Sequence, residues 1–273
     1  MKSLMLSGVL MLAISFSCLG MDLSGISDNN GVLTINIDPA ITGDEYVAAS
    51  VATNTTASTI VRVFSIETLG ENPGPHADVL LTASRDPDFA IRIAAAKALV
   101  GCDPDAAVRT AKGIVQQLST AQPAFQGDYL YGLEAAALLA KLNDPSGFEF
   151  VANRLEHADF SAEKVMALAY LPDFQVVNKA SATEAILTFI ETTVSLLEQS
   201  NAAEKHEAEI LLPKAFNALY RLQAIEAIPR LKAIIPLLNE HLQNNIQYYI
   251  QKLEALSIEP LDLNEPRKEG VID

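Results

Sequence analysis

The sequence predicts an all-α protein built from antiparallel helix pairs in tandem, and three observations carry that expectation. The 273-residue chain is 49 % apolar yet only 6 % aromatic, with no Trp. Ala and Leu dominate its middle, and small Ala faces let helices pack closely where a sheet would want β-branched and aromatic residues. Asp-Pro recurs at Asp38-Pro39, Asp86-Pro87, Asp103-Pro104 and Asp144-Pro145. Asp is a good N-cap because its carboxylate accepts bonds from orphan N–H groups, and Pro suits the first helical position because its missing N–H costs nothing there. Finally, an Ala-rich phrase closing on Leu repeats: Leu99 to Leu139 is 40 residues, and Leu139 to Leu219 is 80.

Taken in order, residues 1–20 read as a secretory signal peptide. Lys2 is a minimal positive region, Leu4 to Ile14 are an apolar stretch, and Ser15, Ser17 and Gly20 offer small residues for cleavage. The uncharged run from Ser3 to Gly20 is short for a membrane span of ~20 residues. Ser15-Phe16-Ser17 before Cys18 resembles a bacterial lipobox, although Ser15 and Phe16 depart from that motif. Cleavage near Cys18–Gly20 is favoured, and acylation of Cys18 is the alternative. The expected location is therefore outside the cytoplasm, periplasmic or secreted, with membrane contact only through a lipid on Cys18.

Residues 21–74 form an N-terminal segment. Leu33, Ile35 and Ile37 alternate with Thr34 and Asn36, which predicts one short strand covering the first helix pair, or an extended linker. Tyr46, Val47 and Val51 fit a helix, but the Thr-rich run Thr53 to Thr59 is a poor helix former. Residues 75–257 are the expected repeat array and 258–273 a polar tail. Helices are predicted after Asp86-Pro87, running to Leu99, and after Asp103-Pro104, running to Leu118. Their short connections make consecutive helices antiparallel neighbours. Leu242, Ile246, Tyr249, Ile250, Leu253 and Leu256 lie on one helical face. Between 160 and 212, where Leu171-Pro172-Asp173 precedes a predicted helix from Thr183 to Gln199, no clean repeat is legible.

The phrase Asp86-Pro87-Asp88-Phe89-Ala90-Ile91-Arg92 with its Ala-rich continuation resembles the second helix of a HEAT repeat, and Glu226-Ala227-Ile228-Pro229-Arg230-Leu231-Lys232 resembles a first helix. A period near 40 with two helices per unit is the HEAT or armadillo range. The resemblance implies an α-solenoid over roughly 75–257 and is nearly silent on function. In HEAT repeats an Asp before the second helix and an Arg within it often pair across neighbouring units. Asp88 and Arg92, four apart, could also pair locally, so Arg92 is expected to be architectural.

Of the histidines His76, His157, His206 and His241, only His206-Glu207 resembles a zinc-protease helix, and Ile210 stands where the second ligand would be needed. Glu204, His206 and Glu209 are better explained as a charged helix start than as metal ligands. Carboxylate pairs such as Glu204/Glu207 and Asp86/Asp88 are expected at exposed helix starts, where acids are common. Cys102 lies between an Ala-rich helix and Asp103, without a His or a positive neighbour, and reads as structural. No catalytic residue, cofactor or metal is expected.

With 19 basic against 34 acidic residues the net charge is −15, which argues against nucleic acid, whose binding needs a basic patch. A basic protein partner suits this field. The expected function is a non-enzymatic protein-binding scaffold or adaptor of the cell envelope that uses a concave repeat face. A ligand-holding or lyase-like module and a structural spacer are the alternatives. Tyr129, Tyr131, Tyr248 and Tyr249 are candidates for that face, with core packing the competing role for each.

Overall fold

The computed structural model describes residues 26–29, 32–35, 45–120, 125 and 127–258. The signal-peptide residues, Cys18, Asp38-Pro39, Ile37 and the tail after Ile258 lie outside them. From residue 45 onward the described chain is helical, and the protein belongs to the all-α class. Near the N-terminus, β1 (Ile26–Asn29) and β2 (Val32–Ile35) pair antiparallel, with Ile26 opposite Ile35. The contacts divide the chain into two compact units, Met1–Asn178 and Lys179–Asp273. The division falls inside the stretch where the repeat pattern is illegible.

The first unit contains α1 (Glu45–Thr53), α2 (Thr59–Gly70), α3 (Ala77–Ala83), α4 (Phe89–Leu99), α5 (Pro104–Thr120), α6 (Asp128–Lys141), α7 (Phe148–His157) and α8 (Ser161–Tyr170). The Thr-rich run is the turn between α1 and α2. Neighbours in sequence pack as the pairs α1–α2, α3–α4, α5–α6 and α7–α8. The even helices also pack in succession, α2 on α4, α4 on α6 and α6 on α8. Small residues permit this closeness. A Cβ added to Gly70 would come to 3.0 Å from the Ala98 Cβ, and one on Gly147 to 2.7 Å from Ala136. Ile66, Leu69, Leu80, Ile91 and Leu99 form the fully buried centre of one cluster, against which Cys102 packs partly buried.

The helix punctuation follows the Asp residues, with one correction. Asp103 accepts the Ala106 N–H at 2.9 Å at the start of α5, and Asp144 accepts the Ser146 N–H at 2.9 Å at a one-turn 3-10 segment leading into α7. At the third site the cap is Asp88, not Asp86: its carboxylate accepts the Ala90 N–H at 2.8 Å and the Thr59 hydroxyl at 2.7 Å. The Asp88–Arg92 pair that the spacing allows does not form. Arg92 reaches Gln117 on α5 at 2.9 Å instead and lies over the Phe89 ring. The released carboxylate, Asp86, pairs with Arg62 of α2, and both side chains are only 7 % exposed. Arg62 also donates to the Ala52 carbonyl at 3.1 Å. One buried cation thereby ties α1, α2 and the entry to α4 together.

The second unit contains the rest of α9 (Gln175–Leu196), which leaves helical geometry at Asn178, followed by α10 (Ala202–Arg221), α11 (Ile228–Ile234) and α12 (Glu240–Ile258). The uninterrupted helix thus starts just after Asn178, a turn before Thr183, and stops before Gln199. α10 begins with a capping box in which Asn201 and Glu204 bond reciprocally. Arg230 of α11 holds Glu191 and Glu184 of α9 at 2.7 and 2.6 Å. α12 packs on α10 and α11. The helix ends after Leu139 and Leu219 are alike: Asn143 and Gln223, separated by the same interval as those leucines, adopt φ of 59° and 52°. In each case the next amide, of Asp144 or Ala224, returns to the Leu carbonyl at 2.9 or 3.0 Å, a left-handed helix stop.

Candidate functional site

Along the even helices of the first unit, single charged residues stand beside buried positions. In α2 Glu67 follows buried Ile66, in α4 Lys97 stands between buried Ala96 and Ala98, and in α6 Glu134 stands between buried Leu133 and Ala135. Because the even helices pack in succession, Lys97 and Glu134 come into contact, with Glu67 within electrostatic reach of both. Lys97 Nζ lies 2.5 Å from a Glu134 carboxylate oxygen, with Lys97 about half exposed at 53 % and Glu134 mostly covered at 18 %. Glu67 is open to solvent, yet surrounding protein raises its carboxyl above the ordinary range. Lys97 works against that rise and Glu134 adds to it.

Two tyrosines lie within electrostatic reach of Glu134. The Tyr131 hydroxyl on α6 is pushed up to about 12, chiefly by burial, then by Asp88, Glu134 and Asp128. The Tyr170 hydroxyl at the end of α8 is also pushed up to about 12, by burial and then by Glu134 and Asp173. Both therefore stay protonated at physiological pH, each able to donate one bond and accept others. Asp128, at the start of α6, is raised by burial, with the Phe125 backbone N–H opposing and Asp88 reinforcing. Glu134 is the charge common to Glu67, Tyr131 and Tyr170.

Of the four candidate tyrosines, only Tyr131 belongs to this set. Tyr129 packs under Arg154 at 4.1 Å and beside Phe150 at 6.3 Å, a packing role between α6 and α7. Tyr248 and Tyr249 lie in the second unit, edge to face at 5.2 Å, with Tyr220 6.2 Å from Tyr249 and Lys252 over Tyr248. Glu67, Lys97, Glu134 and Tyr170 went unnoticed in the sequence. Lys97 and Glu134 could have been singled out as charges flanked by Ala or Leu on both sides, whereas Glu67 and Tyr170 carry no such local mark. Among the described residues no group of three or more His, Cys, Asp or Glu is placed to hold a metal. Glu204 is engaged in its capping box and Glu209 accepts from Asn239 at 3.0 Å. No helix of the described residues is long and apolar enough to cross a membrane.

Comparison with known proteins places the chain in no group: no family model matches it, and a search of curated proteins finds no match.

The perturbed carboxylates fix the sign of a pH effect. Glu163, 3 % exposed beside Arg154, is raised by burial, with Arg154 opposing and Asp159 reinforcing. Like Glu67 and Asp128, it binds its proton more tightly when folded than when unfolded, so folding takes up protons. Stability should rise as pH falls from neutral toward the ordinary carboxylate range of about 4. Glu191, lowered by the Arg230 bonds, acts oppositely. So does Asp144, where bonds from Lys112 and Ser146 outweigh a burial effect that raises it. Their contributions are lost below that range as these two protonate. Urea midpoints measured from pH 8 to pH 3 should therefore pass through a maximum on the acid side of neutral. A monotonic decline from pH 8 downward would contradict these environments.

Proposed function

We propose that this chain is a non-enzymatic protein-binding scaffold or adaptor, that its helix pairs form a HEAT-like α-solenoid, and that its partner seats on the face of α2, α4, α6 and α8. The observation that carries this is the Lys97–Glu134 contact between α4 and α6, with Glu67 of α2, Tyr131 of α6 and Tyr170 of α8 all within electrostatic reach of Glu134. Only successive stacking of the even helices brings such residues together, and stacked helix pairs characteristically offer one continuous hollow binding face. Glu67 fits a hollow: it is reached by water yet desolvated by the protein around it. Tyrosines with neutral hydroxyls and incompletely neutralised carboxylates suit the recognition of a basic protein surface. The N-terminal residues favour export, so we place the partner in the envelope or periplasm.

The test is affinity capture from envelope and periplasmic extracts with the full chain and with a Glu67→Lys/Glu134→Lys variant. A specific partner should be retained by the parent and lost by the variant. It should also be released as added salt shortens the screening length from ~8 Å to ~3 Å. Retention by the variant at high salt would remove this face from the binding.

A further inference from the structure

The Thr-rich turn between α1 and α2 contains Asn54-Thr55-Thr56, an asparagine followed two places on by a hydroxyl residue with no proline between them. Of the chain's asparagines only Asn54 has that spacing, which is the acceptor sequence for N-linked glycans on surface loops of secreted proteins. Asn54, Thr55 and Thr56 are all exposed and lie outside both helices. The turn around them is fixed. The Asn54 N–H donates to the Val51 carbonyl at 3.1 Å, the Ala57 N–H donates to the Asn54 carbonyl at 3.0 Å, and buried Arg62 grips the Ala52 carbonyl. Within the turn the Thr56 N–H and hydroxyl both donate to Asn54 Oδ1, at 3.0 and 2.7 Å, the local bonding that Asn favours in turns. The side-chain oxygen is therefore engaged. Asn54 Nδ2, the atom that carries an N-linked glycan, donates no hydrogen bond among the described residues.

We propose that Asn54 is an N-glycosylation site, taking an oligosaccharide from a polyprenyl diphosphate donor outside the cytoplasm. Nδ2 bonds to C1 of the first sugar as the C1–O bond to the diphosphate breaks. The diphosphate leaves with the bonding electron pair, Nδ2 gives up one proton to the transferase, and nothing is oxidised or reduced. The linkage keeps the Oδ1 carbonyl, so both Thr56 bonds persist in the modified chain. The proposal rests on the exported location read from residues 1–20 and is independent of which face the protein partner takes.

The test is mass spectrometry of the full chain recovered from its native host, with the mature N-terminus and the peptide carrying Asn54 read from one sample. Electron-transfer fragmentation keeps a sugar on its residue and so locates it. The parent chain should show a processed N-terminus and an oligosaccharide on Asn54. Thr56→Ser should keep the glycan, whereas Thr56→Ala and Thr55→Pro should lose it with Asn54 still in place. The substituted residues are exposed, and circular dichroism of each variant should match the parent. A processed chain whose Asn54 is bare would overturn the proposal, as would a glycan that survives Thr56→Ala. A bare chain that still begins at Met1 would overturn it through the location, leaving the partner-binding face to its own capture experiment.

Discussion

Replacing Asp86 by Ala is expected to cost about 3–5 kcal/mol of folding stability, the usual penalty for stranding one member of a buried ion pair. Arg62 would keep only the Ala52 carbonyl as a partner while remaining almost fully enclosed. The Asp88 N–H, which Asp86 accepts at 2.9 Å, would also lose its acceptor just before the cap of α4. The loss is read from urea unfolding followed by far-UV circular dichroism. A double replacement, Arg62→Met with Asp86→Leu, should recover most of it, because removing both charges removes the stranded one. A loss below about 1 kcal/mol for Asp86→Ala, typical of surface pairs, would mean that water reaches this site.

Phe216→Ala should be comparably severe in the second unit, at about 3–5 kcal/mol. Phe216 is fully buried on α10, between Leu212 and Leu219, which are equally enclosed. Helices α10 and α12 pack directly, so truncation opens a void that neighbouring side chains fill only in part. Phe216→Leu should recover about half of the loss, since most of the volume returns. Equal destabilisation by Leu and Ala would point instead to a requirement for the ring itself.

Local rules made much of the fold legible. The caps at Asp103 and Asp144 could be read because a carboxylate and the amides it serves lie within three residues of each other. The Ala-rich phrases ending at Leu139 and Leu219 do end helices, and their closing turns share one geometry. Asp86 and Asp88 show where local rules run out. Either could cap α4, and the choice is made by Arg62, 24 positions away, which claims Asp86 once α2 and α4 pack. The Lys97–Glu134 pair spans 37 positions and follows from the same stacking. Tyr129 and Tyr131 illustrate the limit within a single helix. Two residues apart on α6, they point about 200° away from each other, so one enters the packing with α7 and the other joins the charged face. Composition cannot assign those roles without the helix phase.

Position-specific crosslinking tests the central claim most directly. A photoreactive phenylalanine analogue is placed at Tyr131, at Tyr170 or at Gln116, an exposed position on α5 outside this face, and the full chain is irradiated in cells of its native host. Binding through the even-helix face should give one discrete crosslinked protein from Tyr131 and from Tyr170. That product should be absent from Gln116 and should disappear when Glu67→Lys/Glu134→Lys is added. Crosslinks of equal yield from all three positions, or a product from Gln116 alone, would contradict it.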